Sequence, residues 1–241
     1  MDCTSLGTGS AMVPGGRAQT GLLVRGEGAL LVDCGSGVLS ALAETDVGYA
    51  GLDAVLLSHH HLDHVADLLP LLKARWLADC DTLPVVGPPG TRGLLDGALD
   101  AHDYLRGRVD VEVREVGPGQ FAVADFSVRA TETRHSTQCF AYRIDDLTVS
   151  GDTEPVESLA DFADGSTVFV HECSFPDDVT AENHTTPAML GNALAGHDYG
   201  TVYLTHLYPQ TEGRHEELVA SVRERYDGTV EVARDGLTVA V

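Results

Sequence analysis

Short apolar segments separated by glycine- and aspartate-rich turns run along the whole chain, and few are long enough for a helix. Residues 20–25 and 29–33 flank Gly26-Glu27-Gly28 and predict a β-hairpin. Ser36 is placed to cap a helix running to about Thr45. Residues 53–57 form a short, continuously apolar run, the pattern of a buried strand. A helix through residues 68–72 follows, with Pro70 marking a kink or break. Residues 83–86 predict a strand and residues 91–105 a helix. Four strands come next, over 109–116, 121–131, 139–144 and 147–149. Pro155 opens a short helix, and residues 167–170 form a strand. Thr185, Thr186 and Pro187 are cap and first-turn residues for a helix through Met189 to Leu194. A strand over 202–204, a helix over 216–226 and strands over 229–232 and 237–241 complete the chain. There is no repeat, linker or low-complexity tract, so residues 1–241 read as one domain. Strands with helices interspersed in both halves favour two sheets with helices outside.

Polar residues sit where the apolar runs stop. The densest group is Ser58-His59-His60-His61-Leu62-Asp63-His64, directly after the run ending at Leu57. Imidazole and carboxylate are natural ligands of divalent transition metals. In an extended loop, alternation turns His59 and His61 to one side and His60 away. Entry into a helix then brings Asp63 and His64 to a neighbouring position, so one segment can serve two adjacent ions. His135, Asp152, His171, Glu172 and His206 also follow strands. Loops at one edge of a sheet gather such residues into a single site. Asp33 likewise ends its own strand. His102, His197 and His215 read as surface or packing residues. His171 fits either a supporting or a packing role.

Composition narrows the classes. The chain is 43% hydrophobic, enough for a full core. No apolar run approaches membrane-spanning length. The first residues lack a basic segment followed by an apolar one, so no secretory signal is expected. Five cysteines without a CxxC pair read as thiols in a reducing cytoplasm, with Cys34 and Cys173 as core fillers. The net charge is −22, and Lys73 is the only lysine. Acid excess with lysine depletion is expected of a protein adapted to high salt, where self-repulsion is screened. At molar salt the Debye length is about 3 Å, so the acidity argues only weakly against an anionic substrate there.

Taken together, His59-x-His61-x-Asp63-His64, His135, Ser150-Gly151-Asp152-Thr153 and Leu204-Thr205-His206 resemble the metallo-β-lactamase superfamily. Leu31-Val32-Asp33-Cys34-Gly35 matches its early strand-end aspartate, which implies that Asp33 steadies a liganding histidine and is not itself a ligand. Val170-His171-Glu172-Cys173-Ser174-Phe175 and Asn183-His184-Thr185-Thr186 look most like its ribonuclease Z branch. The resemblance implies an α/β (α+β) fold, a four-layer αββα sandwich. It implies a centre for two divalent ions, zinc first and manganese second. His59, His61 and His135 would hold one ion, Asp63, His64 and His206 the other, and Asp152 both. Such ions stand about 3.5–4 Å apart and activate water between them. Asp63 would also orient that water, His184 would protonate the leaving oxygen, and Glu172 would orient His184. A homodimer is a further implication.

Two departures bear on the substrate. Transfer-RNA-processing members carry a long protruding arm between the equivalents of His135 and Asp152, and this chain has room there for two strands only. Leu207-Tyr208-Pro209-Gln210 lacks the usual Ser-x-Arg-Tyr, and no basic cluster replaces the arm. The expectation is a phosphodiesterase acting on small nucleotide or RNA phosphodiesters. A thioester or lactone hydrolase of the same superfamily is the alternative, followed by a non-catalytic metal-binding protein.

Overall fold

The computed structural model describes residues 1–241. It begins with a strand that the apolar pattern leaves unmarked, β1 (Asp2–Gly7). The hairpin β2 (Gly21–Arg25) and β3 (Ala29–Val32) follows, then α1 (Val38–Ala43), β4 (Ala54–Leu56), α2 (Leu62–Val65) and α3 (Leu68–Leu77). Next come β5 (Leu83–Gly87), α4 (Thr91–Ala101), β6 (Val111–Glu115), β7 (Gly119–Val123), β8 (Phe126–Glu132), β9 (Phe140–Ile144) and β10 (Leu147–Val149). The last third holds α5 (Glu157–Ala163), β11 (Val168–Glu172), α6 (Pro187–Leu194), β12 (Thr201–Thr205), α7 (His215–Arg223), β13 (Thr229–Val232) and β14 (Thr238–Ala240). No helix is long and apolar enough to cross a membrane.

The strands form two seven-stranded sheets, ordered β14-β1-β2-β3-β4-β5-β6 and β13-β12-β11-β10-β9-β8-β7. Both are mixed. The first is antiparallel from β14 to β3 and parallel from β3 to β6. The second is antiparallel from β7 to β10 and parallel from β10 to β13. Their inner faces share one apolar layer that includes Val24, Leu30, Leu56, Phe126, Val128, Phe140, Tyr142 and Val170. A second layer lies between the first sheet and α1 and α3. A third lies between the second sheet and α5, α6 and α7. The result is the expected αββα sandwich. Strand β8 shows its cause most simply: Phe126, Val128 and Ala130 are buried, while Ser127 and Arg129 between them are exposed.

Four elements differ from the sequence pattern. Residues 121–131 are not one strand but the hairpin β7–β8, turning at Ala124 and Asp125, with φ of 47° and 65°. Two-residue hairpin turns of this kind favour Asn-Gly or Asp-Gly; here Asp125 stands second, behind an alanine and with no glycine, so the pair does not mark a turn. Pro70 neither kinks nor breaks α3, because it is the third residue of that helix, where the missing N–H has no intrahelical acceptor in any case. Ser36 does not cap α1; the cap residue is Gly37, and the side chain of Asp67 accepts from the N–H groups of Gly37 and Leu39 at 2.8 and 3.0 Å. Helix α4 stops at Ala101, before a short 3₁₀ turn over Asp103–Leu105.

The sheets are tied together beside the His-rich loop. The fully buried Tyr142, on β9, donates its hydroxyl proton to the carbonyl of Leu57 at 2.7 Å. The adjacent Phe140 N–H donates to the carbonyl of Ser58 at 3.0 Å. Tyr142→Phe therefore leaves a buried carbonyl without its donor. It is expected to lower stability by about 1–2 kcal/mol in urea unfolding, with an unchanged denaturant slope. An unchanged midpoint would show that this bond carries no net stability.

Candidate metal centre

The centre forms at the carboxyl ends of β3, β4, β8, β10, β11 and β12. Asp33 follows β3 with φ 60°. Its buried carboxylate accepts from the Ser58 N–H at 2.7 Å, the Ser58 hydroxyl at 2.7 Å and His64 Nδ1 at 2.8 Å. His59 follows Ser58, and the single turn of α2 carries Asp63 and His64. The Cys34 N–H donates to the His64 carbonyl at 2.7 Å, locking that turn against the end of β3. This approach requires Gly35, where a Cβ would lie 2.1 Å from the Asp63 carbonyl oxygen.

Three further loops bring in the remaining groups. His135 lies beyond β8, and its Nδ1 meets the carbonyl of Asn183 at 2.9 Å, turning Nε2 toward His61 Nδ1 at 3.1 Å. Asp152 follows β10 after Gly151, whose φ is 60° and whose added Cβ would meet the Phe140 carbonyl at 2.8 Å. His206 follows β12 with φ 59°. Its Nε2 lies 3.1 Å from Asp63 Oδ2, and its Nδ1 lies 2.9 Å from the Ser174 hydroxyl.

Asp152 is the meeting point. Its oxygens lie 3.4 Å from His64 Nε2 and His206 Nε2, 3.7 Å from His59 Nε2 and 3.9 Å from His135 Nε2. Two overlapping groups of potential ligand atoms share it: His59, His61 and His135 with Asp152, and Asp63, His64 and His206 with Asp152. Within each group the atoms lie within 4.8 Å of one another. His59 Nε2 and His64 Nε2 are buried without a hydrogen-bond partner. Such nitrogens are costly unless something takes their lone pairs. A mixed imidazole and carboxylate donor set suits a divalent transition ion, so these residues fit one.

The charges are tightly linked. Burial opposes ionisation of Asp152, but His206 and His64 outweigh it and hold the carboxyl well below the usual carboxylate range. Burial likewise works against protonated His64, yet Asp152 and Asp33 raise its pKa well above the ordinary value. His59 moves well down, through burial and the neighbouring His64, and His61 moves down through burial and His135.

Beside this centre lies a second hydrogen-bonded group. Glu172 is the last residue of β11 and fully buried. One of its oxygens accepts from the Thr153 N–H at 2.8 Å and meets His184 Nδ1 at 2.9 Å. The other accepts from the Ser174 hydroxyl at 2.6 Å and the Thr185 N–H at 3.1 Å. Burial disfavours the charged form of His184, but the bond to Glu172 and its charge raise the pKa overall.

Other histidines stand apart. His60 points away and meets the Thr91 hydroxyl at 2.9 Å. His171 is buried edge-on to Phe169, with Nδ1 on the Glu172 carbonyl. His197 pairs with Asp161, and His102 and His215 lie outside both groups. Cys34 and Cys173 are fully buried in the two outer apolar layers. Ser58, Ser174, Asn183 and Tyr208 carry no chemical signal of their own in the sequence; each lies one or two positions from a candidate His or Glu, and that is the signal that could have found them.

The model of the β-lactamase superfamily domain matches residues 29–207. Ribonuclease Z of Mycobacterium bovis (strain BCG / Pasteur 1173P2) is 33% identical, covering 98% of this chain and 96% of the relative. Ribonuclease Z of Mycobacterium avium (strain 104) matches at the same identity and coverage. The first alignment runs over 269 residues, whereas 98% of 241 is about 236, so about 33 residues of the relative have no counterpart here. Among solved structures, the metallo-β-lactamase fold protein YhfI from Bacillus subtilis superposes with a TM-score of 0.85 at 28% identity, covering 99% of this chain and 98% of that one. The short form of human tRNase Z superposes at 0.80 with 20% identity, covering 100% and 99%, a likeness of fold. With its family model spanning most of its length and near-full-length relatives a third identical, this chain belongs to the β-lactamase superfamily, beside the ribonucleases Z, and is a metal-dependent hydrolase.

Proposed function

We propose that the chain is a binuclear phosphodiesterase acting on small nucleotide or RNA phosphodiesters. The observation that carries this reading is the single buried Asp152 carboxylate shared by two groups of ligand atoms, with the Glu172–His184 pair against one of them. In this reading His59, His61 and His135 hold one ion, Asp63, His64 and His206 the other, and Asp152 both. Zinc suits the donors best, and manganese accepts the same set. Bound there, the ions supply Lewis acidity, acidifying a water and neutralising charge on a phosphoryl oxygen.

The chain's own groups do the rest. Asp63, its carboxyl kept ionised by His206 and His64 against the cost of burial, orients the attacking water. His184 lines the cavity above the centre, with Nδ1 anchored on Glu172. That leaves Nε2 to protonate the departing oxygen, and the raised pKa keeps the proton available near neutrality. Relatives named ribonuclease Z support phosphodiester chemistry. Between His135 and Asp152 the chain holds only β9, β10 and their connections, which supports a small substrate over one needing an arm. The acidity and the single lysine support work in concentrated salt.

An assay of bis(p-nitrophenyl) phosphate against an acyl thioester, with zinc or manganese added, tests the reaction class. Hydrolysis of the diester and not the thioester is expected, and the reverse would sink the proposal. His64→Ala is expected to lose about half of the bound metal and most activity, and His60→Ala neither, by elemental analysis of purified protein. Equal losses would overturn the division of the loop. His184→Ala is expected to keep its metal while turnover falls about 10²- to 10⁴-fold. A fall in metal content would instead make His184 a ligand.

A further inference from the structure

The cavity above the centre has a volume of about 420 Å³. Its walls contain no lysine and no arginine. Beyond the proposed ligands and His184, they offer one more acid, Glu182, and uncharged donors from Ser136, Asn183 and Tyr208. Apart from His184, whose proton is assigned to the leaving oxygen, a phosphoryl group held here has no cationic side chain for its second non-bridging oxygen. A neutral donor has to take that place.

Tyr208 is built for it. Its ring stacks on Phe175, with centroids 4.4 Å apart and planes at 29°. It stands edge-on to His184 and His206, at 5.8 Å from each. The backbone is equally fixed: the Tyr208 N–H donates to the Ser174 carbonyl at 3.2 Å, and its own carbonyl accepts from the Thr211 hydroxyl at 2.7 Å. Pro209 follows and restricts the exit of the chain. The buried tyrosines Tyr142, Tyr199 and Tyr226 each donate their hydroxyl proton to a main-chain carbonyl. The Tyr208 hydroxyl has no such partner, and the residue faces the cavity. A rigid phenol with a free donor, in the wall of the cavity that holds the ligand groups, is pre-organised hydrogen bonding of the kind that stabilises developing negative charge.

We propose that Tyr208 is a catalytic residue whose hydroxyl donates a hydrogen bond to a non-bridging oxygen of the phosphoryl group. It replaces a cationic contact with a neutral one and so fits the cavity to a diester carrying a single negative charge. This rests on the phosphodiester reading above. The neutral donor also sets the ligand class: each added phosphate brings charge that nothing in these walls offsets.

Tyr208→Phe removes the hydroxyl and keeps the ring on Phe175. Two measurements on metal-loaded protein decide the matter. The first is kcat/KM on bis(p-nitrophenyl) phosphate, expected to fall about 10- to 100-fold with metal content unchanged. The second is the dissociation constant of inorganic phosphate by titration calorimetry, expected to rise about 5- to 20-fold, by the same loss of a bond to a charged oxygen. A variant equal to the parent in both overturns the role of Tyr208. If the parent itself fails to hydrolyse the diester, the phosphodiester reading falls. The phosphate titration still decides whether Tyr208 binds an oxyanion: weaker binding upholds it and equal binding overturns it.

Discussion

An imidazole presents one nitrogen inward only if something holds the other, and that requirement organises this molecule. Two buried carboxylates meet it, one from each sheet, and they do so in the same way. Asp33 takes His64 Nδ1 directly and reaches His59 through Ser58, whose hydroxyl donates to Asp33 and lies 3.0 Å from His59 Nδ1. Glu172 takes His184 Nδ1 directly and reaches His206 through Ser174, whose hydroxyl donates to Glu172 and lies 2.9 Å from His206 Nδ1. Each carboxylate thus fixes the ring orientation of two histidines, and Nε2 of His59, His64 and His206 faces Asp152. His135 is held separately, by the Asn183 carbonyl.

The sheets supply these carboxylates because of where their strands run parallel. Parallel neighbours end at the same edge, so Asp33 and Ser58 leave β3 and β4 together. Asp152, Glu172 and His206 likewise leave β10, β11 and β12 together. Sharp turns are then needed to aim side chains back over the edge. Asp33, Gly151, Asn183 and His206 all adopt φ near 60°. For the three that are not glycine this costs about 1–2 kcal/mol each. The hydrogen bonds of the neighbouring loops hold them there. Asp79, Ala124, Asp125 and Asp145 share this conformation outside the ligand groups, so it is the side chain each turn aims, and not the turn alone, that marks the site.

Much of this was legible from the residues because the chemistry follows strand ends. The phase of His59 and His61 against His60 is a matter of backbone alternation, and an apolar run fixes where the alternation starts. The sandwich was legible for the same reason: apolar runs short enough for strands fill both halves. What the chain did not announce depends on partners distant in sequence. Asp67 caps α1 from the far side of the His-rich loop, so the local Ser36 was a misleading signal. Strand β1 is neither continuously apolar nor strictly alternating, with Thr4 and Ser5 side by side, yet it is enclosed by β2 and β14. The turn at Ala124 and Asp125 follows from the pairing of β7 with β8, with no glycine in it and an alanine at its first position. Ser58 and Ser174 are common residues, and only the folded distances give them a part.

Charge draws the remaining distinction. A hydrolase for a long polyanion needs a cationic track, because each contacted phosphate demands a counter-charge. This chain has 15 basic residues against 37 acidic ones, and none of the basic side chains lines the cavity. Its lining adds apolar and uncharged polar groups instead: Leu62 is 78% exposed, Met12 and Val13 stand out on the loop that continues from Ala11 in the cavity wall, and Ser136 and Asn183 lie in the wall itself. Such a surface neither draws in nor grips a nucleic-acid backbone at ordinary salt. Recognition is then left to the few groups within reach of one phosphoryl unit. On the proposed phosphodiester reading, ions held by the ligand cluster would supply the positive charge, the His184–Glu172 pair the proton and neutral donors the remaining contacts, and electrostatics would limit substrate size before space does.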